Sequence, residues 1–316
     1  MHHENISPNS DICLYADDTK LYREICTDDD QAFLQNDINQ LNEWTRQNKM
    51  NFHPNKCKVL SVTLNRENSS YPPYNLGGVN IGQVEVEKDL GIHVSSRLNW
   101  TDHCNYIYSK ASRNLGLMKR TCKFIKNRAQ RRSLYLAMVR SQMEHCSTVW
   151  SPSTATSINK LESIQKQAIK WILDEQYQSY SPEMYFLRCK ELNLLPITQK
   201  LILKDLKLFH GIRLNRTGIK LPPYLKQHDG SSRLRSCHLD DLSFISKIEP
   251  RITRNYNNSD VVVTSLTQFV NSYFPRTMNN WNLLPREVRE QKCPAQFEIA
   301  ACKWLWDAAR PTETML

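Results

Sequence analysis

The sequence predicts an α+β chain, β-rich over its first hundred residues and mainly helical after them. Short apolar, β-prone runs divided by turn residues fill the stretch up to about residue 98. From Trp100 the apolar spacing changes to steps of three and four. Charge changes at the same place: residues 1–100 hold nine Lys/Arg against fourteen Asp/Glu, and residues 101–316 hold thirty-three against eighteen. A chain of 316 residues is expected to form two or three compact units.

The first element is a strand, Ile12-Cys13-Leu14-Tyr15-Ala16, broken by Asp17-Asp18-Thr19 and resumed by the alternating Lys20-Leu21-Tyr22-Arg23. Asp28-Asp29-Asp30 then supplies an N-cap and favourable dipole charge to a helix. That helix runs to about Gln47, with Leu34, Ile38, Leu41 and Trp44 on one face. Pro54-Asn55 marks a turn, and residues 56–64 read as one strand. An Asn-, Ser- and Pro-rich loop reaches about Gly78. Val79-Asn80-Ile81, the pair Gly82-Gln83 and Val84-Glu85-Val86 suggest a hairpin, and Leu90-Gly91-Ile92-His93-Val94 closes the β-rich part.

Next comes an amphipathic helix. Ile107, Ala111, Leu115, Met118, Cys122 and Ile125 form an apolar stripe, with Lys110, Arg113, Lys119, Arg120, Lys123 and Lys126 on the remaining arc. A second helix is expected near Gln130–Met143. A third, near Ile158–Leu173, turns Leu161, Ile164, Ala168 and Ile172 inward, and Pro152 lies between the two. Beyond Tyr177, Leu192–Gly211 reads as helix. Pro222-Pro223, Asp229-Gly230-Ser231-Ser232 and Asn257-Asn258-Ser259 read as loops, and Val261-Val262-Val263 as a strand or a buried helix start. Residues 270–310, with Trp281, Trp304 and Trp306, read as packed helix.

Several function classes are excluded at this level. No apolar run approaches the roughly 18 residues of a membrane span, and the first twenty residues carry Asp11, Asp17 and Asp18 with no apolar core of a secretory signal. A nuclear or cytoplasmic protein with reduced thiols is the expectation. The ten Cys include no CxxC pair, which argues against a zinc module. With eight Gly, the chain has neither GxGxxG nor GxxxxGK[ST]. The net charge is +10, and between His103 and Met143 ten basic residues stand with no acidic one. A one-sign run of that length favours a polyanionic partner over a merely solubilising face.

An adjacent Asp pair is expected about once by chance in a chain of this size. Asp28-Asp29-Asp30 and Asp240-Asp241 read as a cap and a turn. Asp17 and Asp18 differ in context, because a hairpin tip projects both carboxylates side by side. Such paired hard oxygens repel unless a divalent cation such as Mg2+ lies between them. Tyr15-Ala16-Asp17-Asp18-Thr19-Lys20-Leu21-Tyr22 resembles the catalytic palm hairpin of reverse transcriptases of non-LTR (LINE-type, jockey-like) retrotransposons. Leu41-Asn42-Glu43-Trp44 with Asn51-Phe52-His53-Pro54-Asn55-Lys56-Cys57 resembles the next palm motif. Lys88-Asp89-Leu90-Gly91-Ile92 through Leu98-Asn99-Trp100 is similar to the primer-grip hairpin. Lys110 to Gly116, Leu134-Tyr135 through Pro152, and Leu161 to Ala168 resemble thumb elements. Phe274-Pro275-Arg276-Thr277 and Trp281-Asn282-Leu283-Leu284-Pro285 also fit, so the ordered set covers nearly the whole chain.

The resemblance implies an RNA-directed DNA polymerase working on an RNA template, a DNA primer and dNTPs. It implies a partial palm in residues 1–98, a basic helical thumb in 99–175 and a mostly helical region in 176–316. Asp17 and Asp18 would be the catalytic Mg2+ ligands, beside Tyr15. Lys56 would protonate pyrophosphate, or is simply an exposed charge before a strand. Leu90 and Gly91 would support the primer terminus, or form an ordinary β-turn. Lys110, Arg113, Lys119, Arg120 and Lys123 would track the template–primer duplex. The family also uses a third metal-binding Asp on an earlier strand, together with fingers, and neither is found ahead of Tyr15. The expectation is therefore a polymerase fragment, inactive alone, that needs an upstream segment. The competing expectation is a non-catalytic nucleic-acid-binding protein built on the same remnant.

Overall fold

The computed structural model describes residues 6–63, 72–175, 180–227, 244–246 and 268–311. It is a mixed α+β chain in two compact units, Met1–Leu98 and Asn99–Leu316. Among the described residues the strands form five separate two-stranded ladders rather than one sheet.

In the first unit, β1 (Ser10–Tyr15) and β2 (Asp18–Arg23) pair antiparallel, with Tyr15 opposite Asp18. Ala16 and Asp17 therefore form the two-residue connection, where Asp17-Asp18-Thr19 was expected to be the turn. Such connections demand positive φ, and Ala16 supplies it at 53°. Only Ile12 of β1 is buried; Leu14 and Tyr15 are exposed, so the hairpin is less enclosed than its apolar sequence suggests. Helix α1 (Asp28–Gln47) starts one residue earlier than the Asp run implies. Thr27 is the N-cap, closing a capping box with Asp30, and the three Asp fill the first turn. Asp37, Leu41 and Thr45 are its buried residues. Asp37 accepts bonds from the Ser7 amide and hydroxyl at 2.8 and 2.7 Å, tying the approach to β1 onto the helix.

The strand expected over residues 56–64 shrinks to β3 (Lys58–Val59), preceded by a 3₁₀ turn, Pro54–Lys56. β3 runs parallel to β6 (Gly82–Gln83), a two-residue partner that can support no longer ladder. Gly82-Gln83 is thus a strand and not a hairpin connection. The reversal occurs earlier, at Gly77-Gly78 (φ 60° and 91°), between β4 (Asn75–Leu76) and β5 (Val79–Asn80). Two adjacent glycines enter the left-handed region without the Cβ clash that a side chain would bring. Tyr74, Leu76 and Ile81 make the small core here, covered by Leu34, Ile38, Phe52, Cys57 and Val59. β7 (Val86–Asp89) and β8 (Ile92–Ser95) pair across Leu90-Gly91, at φ 44° and 88°.

The second unit is built on α2 (Thr101–Thr121) and α6 (Ala155–Leu173), which pack on each other. Ile107, Ala111, Leu115 and Met118 are buried on α2. Leu161, Ile164, Ala168 and Ile172 are buried on α6. Between them runs α3 (Arg128–Tyr135), continued through a π turn at Leu136–Arg140 into α4 (Ser141–Glu144). Short α5 (Ser147–Trp150) follows, with the Trp150 indole N–H bonded to the His145 carbonyl at 2.8 Å.

Helix α7 (Pro182–Glu191) is followed by a break at Leu192–Pro196 and then by α8 (Ile197–Arg213). The helix expected over Leu192–Gly211 starts five residues later, at Ile197, because Pro196 lacks an N–H and Asn193 takes φ 47°. Helices Tyr273–Leu283, Arg286–Arg289 and Pro294–Ala308 complete the unit. Trp281, Phe297, Ala301 and Leu305 join Leu206 and Phe209 of α8 in its core, with Trp304 and Trp306 against it. Regions 99–175 and 176–316 thus share one compact unit. The loops expected around 229–232 and 257–259, Asp240-Asp241 and Val261–Val263 lie outside the described residues. No described helix is long and apolar enough to cross a membrane.

Candidate functional site

Asp17 sits in the β1–β2 turn and Asp18 opens β2, and both are exposed. Among the described residues no ion pair engages either carboxylate. Tyr15 is directly opposite Asp18 and 66% exposed, so an aromatic ring and a carboxylate share one face. Alternation places Lys20 on that same face. Its ammonium forms a 2.5 Å ion pair with Asp89, the last residue of β7.

That ion pair ties the twin-carboxylate hairpin to the Leu90-Gly91 turn, although 69 residues separate Lys20 from Asp89. Leu90 is 45% exposed, so the turn offers backbone and an apolar side chain to solvent. Lys56 is exposed at the end of its 3₁₀ turn, with no bond to Asp17 or Asp18.

The base of the hairpin is anchored by Arg23. Its guanidinium bonds Asp30 through Nε at 3.1 Å and Nη2 at 2.8 Å, and Nη1 reaches the Pro8 carbonyl at 2.6 Å. The Phe33 ring lies 4.9 Å beneath it. Arg23 first, then the Thr27 hydroxyl and the Cys26 amide, lower the Asp30 carboxyl from 3.8 to about 2. A lowered folded-state value means stabilisation that is complete above the unfolded value and lost as pH falls through the folded one. Asp30→Asn should therefore be less stable than wild type above pH 3.8, with the gap closing as pH falls toward about 2. Acid titrations followed by circular dichroism check this. Parallel wild-type and variant curves would refute it.

The second candidate feature is the basic run, and the structure sorts its ten members into two groups. Four are engaged by their own chain, three inside the fold and the fourth, Arg128, 61% exposed in a surface ion pair. Arg131 is buried, with Nε on the Ile125 carbonyl at 2.6 Å and Nη1 on the Trp171 carbonyl at 2.5 Å. Arg140 is buried between Glu144, at 2.7 Å, and the Leu195 carbonyl, at 2.9 Å. Arg132 bonds the Leu192 and Asn193 carbonyls, and Arg128 pairs with Glu191 at 3.2 Å. Arg131, Arg132 and Arg140 are thus taken up within the fold, where planar guanidinium forks suit multiple carbonyl bonds.

The other six keep an outward role. Lys110, Arg113, Arg120, Lys123 and Lys126 are exposed, and Lys119 is half-buried. Burial, then the neighbouring Lys170, lowers the Lys119 ammonium below its usual value. Lys170 belongs to α6, so the basic face extends from α2 onto its packing partner. Lys166, one turn earlier on α6, lies 5.0 Å over the Tyr185 ring, and Lys170 lies 5.2 Å over Tyr180.

Lys20, Asp89, Lys166 and Lys170 were not singled out from the sequence as site residues. Lys166 and Lys170 were legible in principle, because they stand one turn apart on the polar arc of a recognisable helix. The Lys20–Asp89 pairing carries no local signal. Among the described residues no three His, Cys, Asp or Glu side chains converge to hold a metal ion. Compared with protein-family models, curated proteins and solved structures, the chain matches none.

Proposed function

We propose that this chain is the palm-hairpin-onward part of an RNA-directed DNA polymerase of the non-LTR retrotransposon type, acting in a nuclear or cytoplasmic ribonucleoprotein. The observation that supports the reading best is the solvent-facing Asp17-Asp18 turn tied through Lys20–Asp89 to the Leu90-Gly91 turn. Polymerisation needs carboxylates at one such turn and support for a primer end at the other.

In this reading the primer 3′-hydroxyl attacks the α-phosphorus of a dNTP, and the bond to pyrophosphate breaks. Asp17 and Asp18 would hold Mg2+, which would supply charge neutralisation to the phosphate oxygens. Lys56 would give its proton to pyrophosphate, and the Leu90-Gly91 backbone would steady the primer terminus. Lys110, Arg113, Lys119, Arg120 and Lys123 would neutralise template–primer phosphates.

Two adjacent carboxylates are hard oxygen donors suited to Mg2+, but a metal pair also needs a bridging carboxylate. None joins Asp17 and Asp18 among the described residues, so activity should require a carboxylate from a further segment. The same observation favours a second reading, a non-catalytic nucleic-acid-binding protein on a polymerase-like scaffold.

Primer extension on an RNA template with Mg2+ separates the two. The chain alone should incorporate no dNTP. With a segment carrying the third carboxylate it should extend, and Asp17→Asn with Asp18→Asn should abolish extension while RNA binding persists. Several kcal/mol of lost metal-assisted stabilisation corresponds to on the order of 10³-fold in rate. Extension that survives both substitutions would overturn the polymerase reading.

A further inference from the structure

A phenylalanine stands almost wholly in water at the end of α2. Phe124 is 93% exposed, more than any other large apolar side chain among the described residues. Its position is built rather than loose. The Ile125 amide donates to the Cys122 carbonyl at 3.2 Å, which puts Lys123 and Phe124 at the centre of a tight turn. The Ile125 carbonyl is then held by buried Arg131 at 2.6 Å. On the far side, the Asn127 side chain caps α3 by accepting from the Ala129 and Gln130 amides at 2.9 and 3.2 Å. Both ends of the turn are thus fastened, and the ring is presented outward between them.

Its surroundings are cationic. Arg120, Lys123 and Lys126 are exposed within four residues of it in the chain, and no acidic residue occurs from His103 to Met143. Cations beside an outward aromatic ring match a strand whose phosphates need neutralising and whose bases are free to stack. A membrane-inserting tip would instead gather several apolar side chains on one face, whereas Phe124 is bracketed by Lys123 and the partly covered Ile125.

We infer that Phe124 stacks on an unpaired base of single-stranded RNA while Lys126 neutralises an adjoining phosphate, with Arg120 and Lys123 at the junction where the duplex begins. The inference rests on the nucleic-acid reading above and narrows it. The tip contacts template that is not yet paired, and it does so without sequence preference, since every base has a π-face. Duplex bases are already stacked and offer the ring nothing.

The test is equilibrium binding of the full chain to a single-stranded RNA of about twelve nucleotides and to a blunt RNA–DNA duplex of equal length. Phe124→Ala should weaken single-strand binding by on the order of tenfold and leave the duplex unaffected, while Phe124→Trp retains it. An exposed side chain contributes little to folding, and unchanged melting of both variants verifies that. Equal single-strand affinity for wild type and Phe124→Ala overturns the inference, as does an equal loss on both ligands. Loss confined to anionic phospholipid vesicles also overturns it, making the tip a membrane contact. A wild-type chain that binds neither nucleic acid sinks the underlying reading as well, which distinguishes the two failures.

Discussion

Arg276→Leu should lower stability by about 3–5 kcal/mol, because it strands a buried carboxylate. Asp205 on α8 is 2% exposed, and Arg276 reaches it with Nε at 2.9 Å and Nη2 at 3.2 Å. The same guanidinium bonds the Thr148 carbonyl at 2.6 Å and the Asn271 carbonyl at 3.0 Å, and the Tyr273 hydroxyl bonds the Asp205 carbonyl at 3.0 Å. One side chain therefore joins α5, α8 and the helix Tyr273–Leu283. Denaturant midpoints at constant slope measure the loss. The double variant Asp205→Leu with Arg276→Leu should recover much of it, since the uncompensated charge is gone. A single-variant loss below about 1 kcal/mol, the range of surface pairs, would show that the pair is not buried in solution.

Gln165→Leu should cost about 3 kcal/mol by leaving several buried groups unpaired at once. Gln165 is fully buried on α6. Its carbonyl accepts from the Tyr135 hydroxyl at 3.1 Å, and its amide donates to the Tyr185 hydroxyl at 3.1 Å and the Leu195 carbonyl at 3.0 Å. Tyr185 in turn donates to Glu162, which also accepts from the Thr198 amide and hydroxyl at 2.9 and 2.8 Å. Tyr135→Phe alone should cost about 1 kcal/mol, and adding it to Gln165→Leu should cost less than the sum. Strict additivity would mean that the two residues do not share a network.

These two hubs show what the sequence reveals and what it hides. Arg276, Glu162 and Gln165 all lie in segments that carry the polymerase resemblance, yet each is engaged inside the second unit. The resemblance includes these residues without saying what they do. The stripes of α2 and α6 were legible because burial on a helix repeats with the helix period, and Ile107, Leu115, Leu161 and Ile172 obey it. The short ladders were not, because a two-residue strand such as Lys58–Val59 has no period to detect. The choice between Gly77-Gly78 and Gly82-Gln83 as the turn depends on which pair needs positive φ, and backbone pairing decides that. The Asp17-Asp18 turn was placed within one residue, but its tie to Asp89 depends on tertiary proximity alone.

The three guanidiniums folded into the second unit also set a ceiling on long-range electrostatics. Each phosphate neutralised on a duplex releases about 0.9 condensed counterions. Arg131, Arg132 and Arg140 are already committed to carboxylates and carbonyls of their own chain. Under the nucleic-acid reading, the ionic-strength slope owed to this stretch should be that of at most seven charges, however basic its sequence looks.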